Sequence, residues 1–189
     1  MRKLNFKDIF IPTISLFIIC LFITAALAVT NFVTAPKIAE NDALSQQESM
    51  KIVCPDADTF EEVVKDVIYK GVDKNGDAVG YAISTISSGY GGQIKVMTGI
   101  APSGEIISID VYYNDDETPG LGKNTSNEDF TSRFKGLKSD ESIVVNKDYA
   151  GKGQQVDAVT SSTISSRAVV AAVNEACELY KTEIVGGEG

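Results

Sequence analysis

The most chemically suggestive segment of this sequence is residues 157–163, which read Asp-Ala-Val-Thr-Ser-Ser-Thr. Four consecutive hydroxyl residues, Thr160, Ser161, Ser162 and Thr163, stand just before a segment with helical periodicity. The free N–H groups and the dipole at the start of a helix favour an anion, especially a phosphate, and hydroxyl groups add donors. Because serine and threonine are also favoured helix caps, N-capping alone is the alternative interpretation. One cap residue would suffice, and four exceed that need.

A second segment, residues 117–123, reads Glu-Thr-Pro-Gly-Leu-Gly-Lys. Its proline and glycines allow the backbone to turn tightly and to approach a flat ligand with no Cβ in the way. Glu117 and Thr118 offer polar groups, and Lys123 offers a positive charge. The alternative is a plain surface loop. The pattern alone leaves both interpretations open.

The composition excludes several classes of chemistry. The 189-residue chain contains no histidine, which removes Ser-His-Asp catalysis, Cys-His catalysis and histidine metal sites. Its cysteines, Cys20, Cys54 and Cys177, form no close pair in sequence, so zinc ribbons and thiolate iron–sulfur sites are excluded too. A formal net charge of −9 argues against a nucleic-acid partner. In an oxidising compartment Cys54 and Cys177 could pair, although a small buried hydrophobic role suits Cys177 better.

An uncharged apolar stretch occupies residues 9–29. A helix of about 21 residues spans roughly 31 Å, which is close to the hydrocarbon thickness of a bilayer. Arg2, Lys3 and Lys7 precede it, so the positive-inside tendency predicts a single-pass anchor with a cytoplasmic N-terminus and the following domain on the outer face of the cell membrane. A cleaved secretory signal is the alternative, because residues 26–28 read Ala-Leu-Ala. The apolar run is longer than most signal cores.

The rest of the chain predicts an α+β domain, an antiparallel β-sheet with flanking helices, preceded by the transmembrane helix. β-like runs joined by turn signals predict a meander, and they lie near residues 63–72, 77–86, 93–100 and 105–113. In the last run alternation predicts one buried face, formed by Ile107, Ile109, Val111 and Tyr113. A glycine-bearing turn at residues 87–92 has a structural role as its simpler interpretation. A short helix, a strand and an amphipathic helix follow, near residues 128–134, 142–146 and 165–181.

These patterns predict five consecutive parts of the chain. They are a cytoplasmic N-terminus, a transmembrane anchor, a juxtamembrane helical stalk, an extracytoplasmic domain and a short tail, at residues 1–8, 9–29, 30–54, 55–185 and 186–189.

Four segments together resemble a known family. Residues 34–38, 90–97, 117–122 and 157–163 stand in the order seen in RnfG, the FMN-binding component of the Rnf electron-transport complex. The corresponding C component of the sodium-translocating NADH:quinone oxidoreductase is the related second choice, and the short chain is closer to the RnfG type. The resemblance extends over nearly the whole sequence.

The resemblance implies that FMN is attached covalently, through its phosphate, to a threonine hydroxyl. The family pattern is Asp-x-x-Ser/Thr-Gly-Ala-Thr with the last threonine modified, and that position is Thr163 here. A separate flavin transferase would install the group, recognising Asp157 and the hydroxyl cluster. The implied cofactor-binding residues are Asp157, Thr160, Ser161, Ser162 and Thr163 at the phosphate, with Glu117, Thr118, Gly120, Leu121, Gly122 and Lys123 at the ring.

The sequence departs from this family pattern at two places. Ser161 and Ser162 stand where glycine and alanine are usual, which leaves a neighbouring hydroxyl open as the acceptor. Family members often carry histidine just before the Glu-Thr-Pro string, where this chain has residues 114–116, Asn-Asp-Asp. Any role of that histidine in tuning the flavin or in proton exchange is therefore in doubt for this chain.

The function implied is electron transfer without independent substrate turnover, so no catalytic residue is expected. FMN would pass single electrons between other subunits of a membrane complex that links reduced ferredoxin and NAD to the pumping of sodium ions or protons. The pumping would belong to partner subunits, because one helix without ionisable residues cannot form an ion path. Two alternatives stay open: a self-standing exported flavoprotein that reduces an external acceptor, and a tethered adaptor with no cofactor.

Overall fold

The computed structural model describes residues 6–146, 151 and 153–187. The predicted start of the cytoplasmic segment, most of the glycine-bearing connection after residue 146, and the end of the predicted tail lie outside the described residues. The chain divides into two compact units, residues 1–44 and residues 45–189.

The first unit is helical. Helix α1 runs over Phe6–Val53, so residues 30–53, which the sequence predicts to form a stalk, lie within this helix. Its apolar part is fully exposed, has a mean hydropathy of 2.5, and is long enough to cross a membrane. Thr13, Thr30 and Thr34 donate to carbonyl oxygens four residues earlier, at 2.8 to 3.0 Å. These bonds satisfy the hydroxyl groups within an apolar helix, which suits a membrane anchor.

The second unit is built on a five-stranded antiparallel meander, as the sequence predicts. The strands follow one another in chain order: β1 (Thr59–Val64), β2 (Ile68–Val72), β3 (Ala78–Ser88), β4 (Gln93–Ile100) and β5 (Ile106–Tyr113). The single run predicted at residues 63–72 is wrong, because it contains the end of β1, a tight turn and β2. Asp66 forms that turn in the left-handed region, at a φ of 58°, which aspartate tolerates better than most residues.

Strand β5 does not alternate as predicted, because its pairing with β4 is irregular at both ends. A bulge near Ile107 buries Ile106 completely and leaves Ile107 half-buried on the opposite face of the sheet. A second irregularity pairs Tyr113 with Lys95, whose ammonium group lies 5.1 Å from the centre of the Tyr113 ring. Of the predicted core-facing residues only Ile109 and Val111 therefore face the main core. An extra residue reverses the face that later side chains occupy.

Helix α3 (Thr163–Leu179) packs against β3 and β4 on one face of the sheet. Residues of its predicted apolar stripe are buried, namely Val169, Val173, Ala176, Cys177 and Tyr180. Asn174, predicted to be on the polar face, is half-buried and uses its side chain to bond both the N–H and the carbonyl of Ile143, each at 2.8 Å. A π-helical turn, Tyr180–Val185, follows α3.

The remaining elements connect the sheet to α3. Helix α2 (Glu128–Thr131) continues into a 3₁₀ turn (Ser132–Phe134), where the sequence predicts a short helix. Strand β6 (Ile143–Val145) pairs in parallel with β7 (Gln154–Val156), a strand that the sequence analysis missed. Three residues are too few to establish the alternation that identifies a strand.

Cys54 and Cys177 are both buried and both carry free thiols. Cys177 belongs to the core between the sheet and α3, whereas Cys54 packs with Met50, Val53 and Met97 in a second core, beneath residues 45–53 of α1. The expected role of Cys177 as a small buried hydrophobic residue is confirmed. The two thiols lie in separate clusters and do not pair.

Candidate functional site

Two of the segments singled out by the sequence meet at one cleft. The loop after β5 and the start of α3 enclose a volume of about 410 Å³ that opens to solvent. Residues of the predicted site on its walls are Glu117, Thr118, Leu121, Gly122, Ser161, Ser162 and Thr163. Tyr90, Ile164 and Ser165 complete the lining.

Glu117 lies at the floor of this arrangement, and only 2% of it is exposed. One carboxylate oxygen, Oε1, accepts a hydrogen bond from the Gly91 N–H at 3.1 Å. The other, Oε2, accepts one from the Ser165 hydroxyl at 2.8 Å. The carboxylate therefore joins the β3–β4 turn, the loop after β5 and the first turn of α3. A buried carboxylate needs such donors, because burial removes its water ligands.

Two glycines leave the space that the Glu117 carboxylate fills. A Cβ built at Gly89 would overlap Oε1, and a Cβ built at Gly122 would overlap Oε2. These glycines are needed for close approach, a role that explains why both segments contain them. The Asn114 side chain and the Thr125 hydroxyl brace the loop further by bonding the carbonyl oxygens of Lys123 and Gly122, at 3.1 and 2.7 Å.

Ser162 and Thr163 form the start of α3. Thr163 is the first helical residue and is half-buried in the wall of the cleft. Ser162 is only 6% exposed, its hydroxyl makes no capping bond, and its Oγ has no hydrogen-bond partner. Capping therefore does not explain the Ser162 hydroxyl. A buried hydroxyl without a partner at the N-terminus of a helix is suited to bind an anion there.

Ser161 adopts the left-handed backbone conformation, with a φ of +61°. Few residues other than glycine and asparagine adopt this conformation without strain. The family pattern has glycine at this position, so the local geometry explains why glycine is usual there. Strain at a ligand-binding turn is common, because the surrounding structure can hold it.

Apolar side chains stand exposed beside the polar floor. Tyr90 is 72% exposed, Leu121 is 41% exposed and Ile164 is 52% exposed, and all three line the cleft. An open cleft with apolar walls and a few polar groups is typical of a site for an aromatic ligand. The site thus offers an anion-binding end at α3 and apolar surface for a flat ring.

Four predicted site residues do not line this cleft. Asp157 and Thr160 are exposed and lie in a neighbouring surface depression, where the Asp157 carboxylate accepts a bond from Asn146 at 2.8 Å. Gly120 is exposed at a φ of +76°, which gives it a turn-forming role. The Lys123 ammonium group pairs with Asp115 at 3.1 Å.

Sequence analysis missed Tyr90, Ile164 and Ser165 as cleft residues. Tyr90 was visible within the glycine-bearing turn, but a structural role was the simpler interpretation of that turn. Ser165 follows Thr163 by two residues and continues the run of hydroxyl residues after Ile164. Helical geometry would have been the signal, because the first turn of a helix points its N–H groups and nearby side chains at one ligand.

Comparison with known proteins decides the family. The FMN-binding domain family matches residues 89–178, and the RnfG N-terminal region matches residues 1–53. The G component of the proton-translocating ferredoxin:NAD(+) oxidoreductase complex of Clostridium ljungdahlii is 33% identical over 182 residues, covering 96% of each chain. The chain belongs to the RnfG family.

Other relatives of this RnfG-family chain agree. The G component of the Na(+)-translocating ferredoxin:NAD(+) oxidoreductase complex of Acetobacterium woodii is 34% identical over 95% of each chain. A crystal structure of the C component of Na(+)-translocating NADH-quinone reductase from Parabacteroides distasonis shares the fold, with a TM-score of 0.51 and 23% identity. That match covers 60% of this chain and 59% of the other chain. The resemblance to RnfG is thus confirmed.

Proposed function

We propose that this chain is a membrane-anchored electron carrier with FMN attached through a phosphoester to Thr163. It would pass electrons within an Rnf-type ferredoxin:NAD oxidoreductase complex that drives ion translocation. The observation that carries the proposal is the cleft itself, where Thr163 stands at the start of α3 beside the unpartnered, buried Ser162 hydroxyl. The matches to the FMN-binding domain and to RnfG proteins support the cofactor and the complex.

The phosphate end of the site would consist of the first turn of α3. The N–H groups there have no helical carbonyl partner, and the helix dipole favours negative charge. Ser162 would donate its hydroxyl proton to a phosphate oxygen, which would satisfy the buried Oγ. These residues fit a phosphate group.

The ring end would consist of the exposed apolar residues Tyr90, Leu121 and Ile164 with the backbone of residues 118–123. FMN supplies the capacity to accept and donate single electrons when bound. The protein's part is to hold the ring, to exclude water from one side and to set the local charge. The exposed edge of the cleft would let electrons enter and leave.

Attachment would be carried out by a flavin transferase using a flavin dinucleotide as donor. The Thr163 Oγ would form a bond to the flavin phosphorus while the pyrophosphate bond breaks, AMP leaves, and the hydroxyl proton passes to the transferase. Asp157 and Thr160 are exposed beside the acceptor and outside the cleft. That exposure suits recognition by the transferase better than contact with the bound ring.

The apolar part of α1 would hold the domain at the membrane, with the N-terminus in the cytoplasm and the FMN domain on the outer face. The domain organisation then follows the segments predicted from the sequence. Other subunits of the complex would supply the electron donor, the electron acceptor and the ion path. The apolar segment of α1 contains no ionisable residue that would serve as such a path.

The test is to produce the full chain with and without a flavin transferase and to denature the product. In-gel flavin fluorescence that depends on the transferase is expected, with one peptide containing Thr163 that is heavier by FMN less one water. Thr163→Val should abolish the label, whereas Thr160→Val, as a matched loss of one hydroxyl, should retain it. A label on Ser162 would move the attachment site, and an unlabelled chain would favour the adaptor without a cofactor.

A further inference from the structure

The Glu117 carboxylate has the hydrogen-bonding pattern of an ionised group. Each of its oxygens accepts a bond, one from the Gly91 N–H and one from the Ser165 hydroxyl. An ionised carboxylate is an acceptor only, so two donors directed at its two oxygens match that form. With only 2% of the residue exposed, solvent screens its charge poorly.

No lysine or arginine forms an ion pair with Glu117 among the residues that the structure describes. Lys123, the cation in the same loop, pairs instead with Asp115 at 3.1 Å. The negative charge of Glu117 is therefore offset by dipoles, those of two hydrogen-bond donors and of the start of α3. Its field extends into the cleft that Glu117 lines.

Glu117 and the proposed phosphate would share one helix terminus. Ser165, which bonds Glu117, lies in the first turn of α3 only two residues after Thr163. The positive end of the helix dipole amounts to about half an elementary charge. That charge is too small to offset both the carboxylate and a doubly charged phosphate.

The charge of the phosphate depends on whether the flavin is attached. A phosphomonoester carries a charge of about −1.5 to −2 at pH 7, because its second pKa is about 6. A phosphodiester has lost that second ionisable oxygen and carries one negative charge. Attachment to a threonine hydroxyl thus lowers the charge that has to be accommodated beside Glu117.

We propose that the buried Glu117 carboxylate makes the cleft selective for the monoanionic phosphodiester of an attached flavin over the dianionic phosphate of free FMN. The inference rests on the proposed function for the position of the phosphate. The protein would then exclude free FMN before maturation, and only a covalently attached flavin would occupy the site. Glu117 acts here as a specificity-determining residue through its charge.

The first experiment uses the full wild-type chain, purified in detergent without exposure to a flavin transferase. At pH 8 it is titrated with FMN, with the methyl phosphodiester of riboflavin and with riboflavin, and flavin fluorescence reports binding. The diester should bind about tenfold more tightly than FMN, since one buried charge acts on one additional phosphate charge at short range. Equal affinity for the two phosphates would overturn the proposal.

Two variants separate charge from shape. Glu117→Gln keeps the size of the side chain, an acceptor for Gly91 and a partner for Ser165, and it should abolish the preference for the diester. Asp116→Asn is the matched control, because it removes the same charge from the adjacent, exposed residue. It should retain the preference. Loss of the preference in both variants, or retention in both, would contradict the assignment to Glu117.

Riboflavin distinguishes a charge effect from a loosened cleft. Because it lacks the phosphate, it should bind the wild-type chain and Glu117→Gln equally, and a gain as large as that of FMN would overturn the proposal. If Glu117→Gln fails to fold, the comparison of diester and FMN on the wild-type chain still decides. Peptide mapping of transferase-treated wild-type chain tests the attachment at Thr163 separately, so that result fails or succeeds independently of the charge preference.

Discussion

The Ser165 hydroxyl donates a 2.8 Å hydrogen bond to Oε2 of Glu117, a residue 48 positions earlier in the chain. Both residues are at most 2% exposed. The contact fixes the loop after β5 against the first turn of α3, two residues beyond Thr163. A single carboxylate thereby holds together the two halves of the cleft.

Ser165→Ala should destabilise the protein by about 1–3 kcal/mol, because one oxygen of a buried carboxylate would lose its donor. The measurement is the free energy of unfolding from urea titration of the full chain in detergent. Ser132→Ala is the control, since Ser132 is exposed and a surface change of this kind usually lies within about 0.5 kcal/mol. Equal effects of the two substitutions would mean that the Ser165 contact contributes nothing specific.

Ser161→Gly should stabilise the chain by roughly 0.5–1 kcal/mol. The left-handed conformation of Ser161 carries a penalty that glycine lacks, and the greater freedom of glycine in the unfolded chain offsets part of the gain. Urea unfolding measures the difference. Ser132→Gly serves as the matched control, because Ser132 has an ordinary φ of −61° and should lose stability on the same change. A loss in Ser161→Gly would contradict the strain.

The buried thiols should make stability depend on pH at the alkaline end. Burial, with a further contribution from the charge of Asp56, raises the pKa of Cys54 to about 12, and burial raises the pKa of Cys177 to about 11. In the unfolded chain both thiols ionise at an ordinary pKa near 9.0. The folded state therefore binds more protons above that pH, and stability should fall as pH rises from about 9 towards 12.

The free energy of unfolding, measured between pH 7 and pH 10.5, checks this dependence. A double variant, Cys54→Ala with Cys177→Ala, should show a shallower loss over the same range, because it has no buried thiol to ionise on unfolding. In parallel, iodoacetamide at pH 8 should modify both thiols slowly in the folded protein and rapidly in urea. Equal slopes for the two chains would show that other groups control the alkaline loss.

Sequence analysis anticipated the elements that local signals define. The turns at residues 73–76 and 101–104 separate strands as expected, and the hydrogen bonds from Gly76 to Asp73 and from Gly104 to Ala101 close them. Periodicity also located the buried stripe of α3. The bulges of β5 left no such signal, since they depend on how Ile106 and Tyr113 pair with β4. Strand register is a long-range property.

The site was anticipated as segments rather than as geometry. The loop containing Glu117 and the segment containing Thr163 were both named from residue types and family resemblance, and the fold brings them to one cleft. The fold also separates Asp157 and Thr160 from that cleft, although Thr160 is a near neighbour of Thr163 in sequence. The left-handed turn at Ser161 reverses the chain between them, which the order of residue types could not indicate.

Ser162→Ala should raise the stability of the flavin-free chain while weakening its flavin site. The wild-type Oγ is buried without a partner, and removing such a group relieves its desolvation cost of about 1–3 kcal/mol. The same hydroxyl is the proposed donor to the phosphate, so the riboflavin methyl phosphodiester should bind Ser162→Ala about five- to tenfold more weakly than it binds the wild-type chain.

Ser49 and Thr98 supply matched controls for Ser162, because their hydroxyl oxygens are also buried without partners and neither residue lines the cleft. Ser49→Ala and Thr98→Val should stabilise the chain in urea without altering binding of the diester. A loss of binding confined to Ser162→Ala would tie the unpartnered hydroxyl to the ligand. Stabilisation in all three variants with unchanged binding would contradict that role and leave Ser162 as an ordinary packing defect, since the start of α3 would then bind phosphate through its backbone alone.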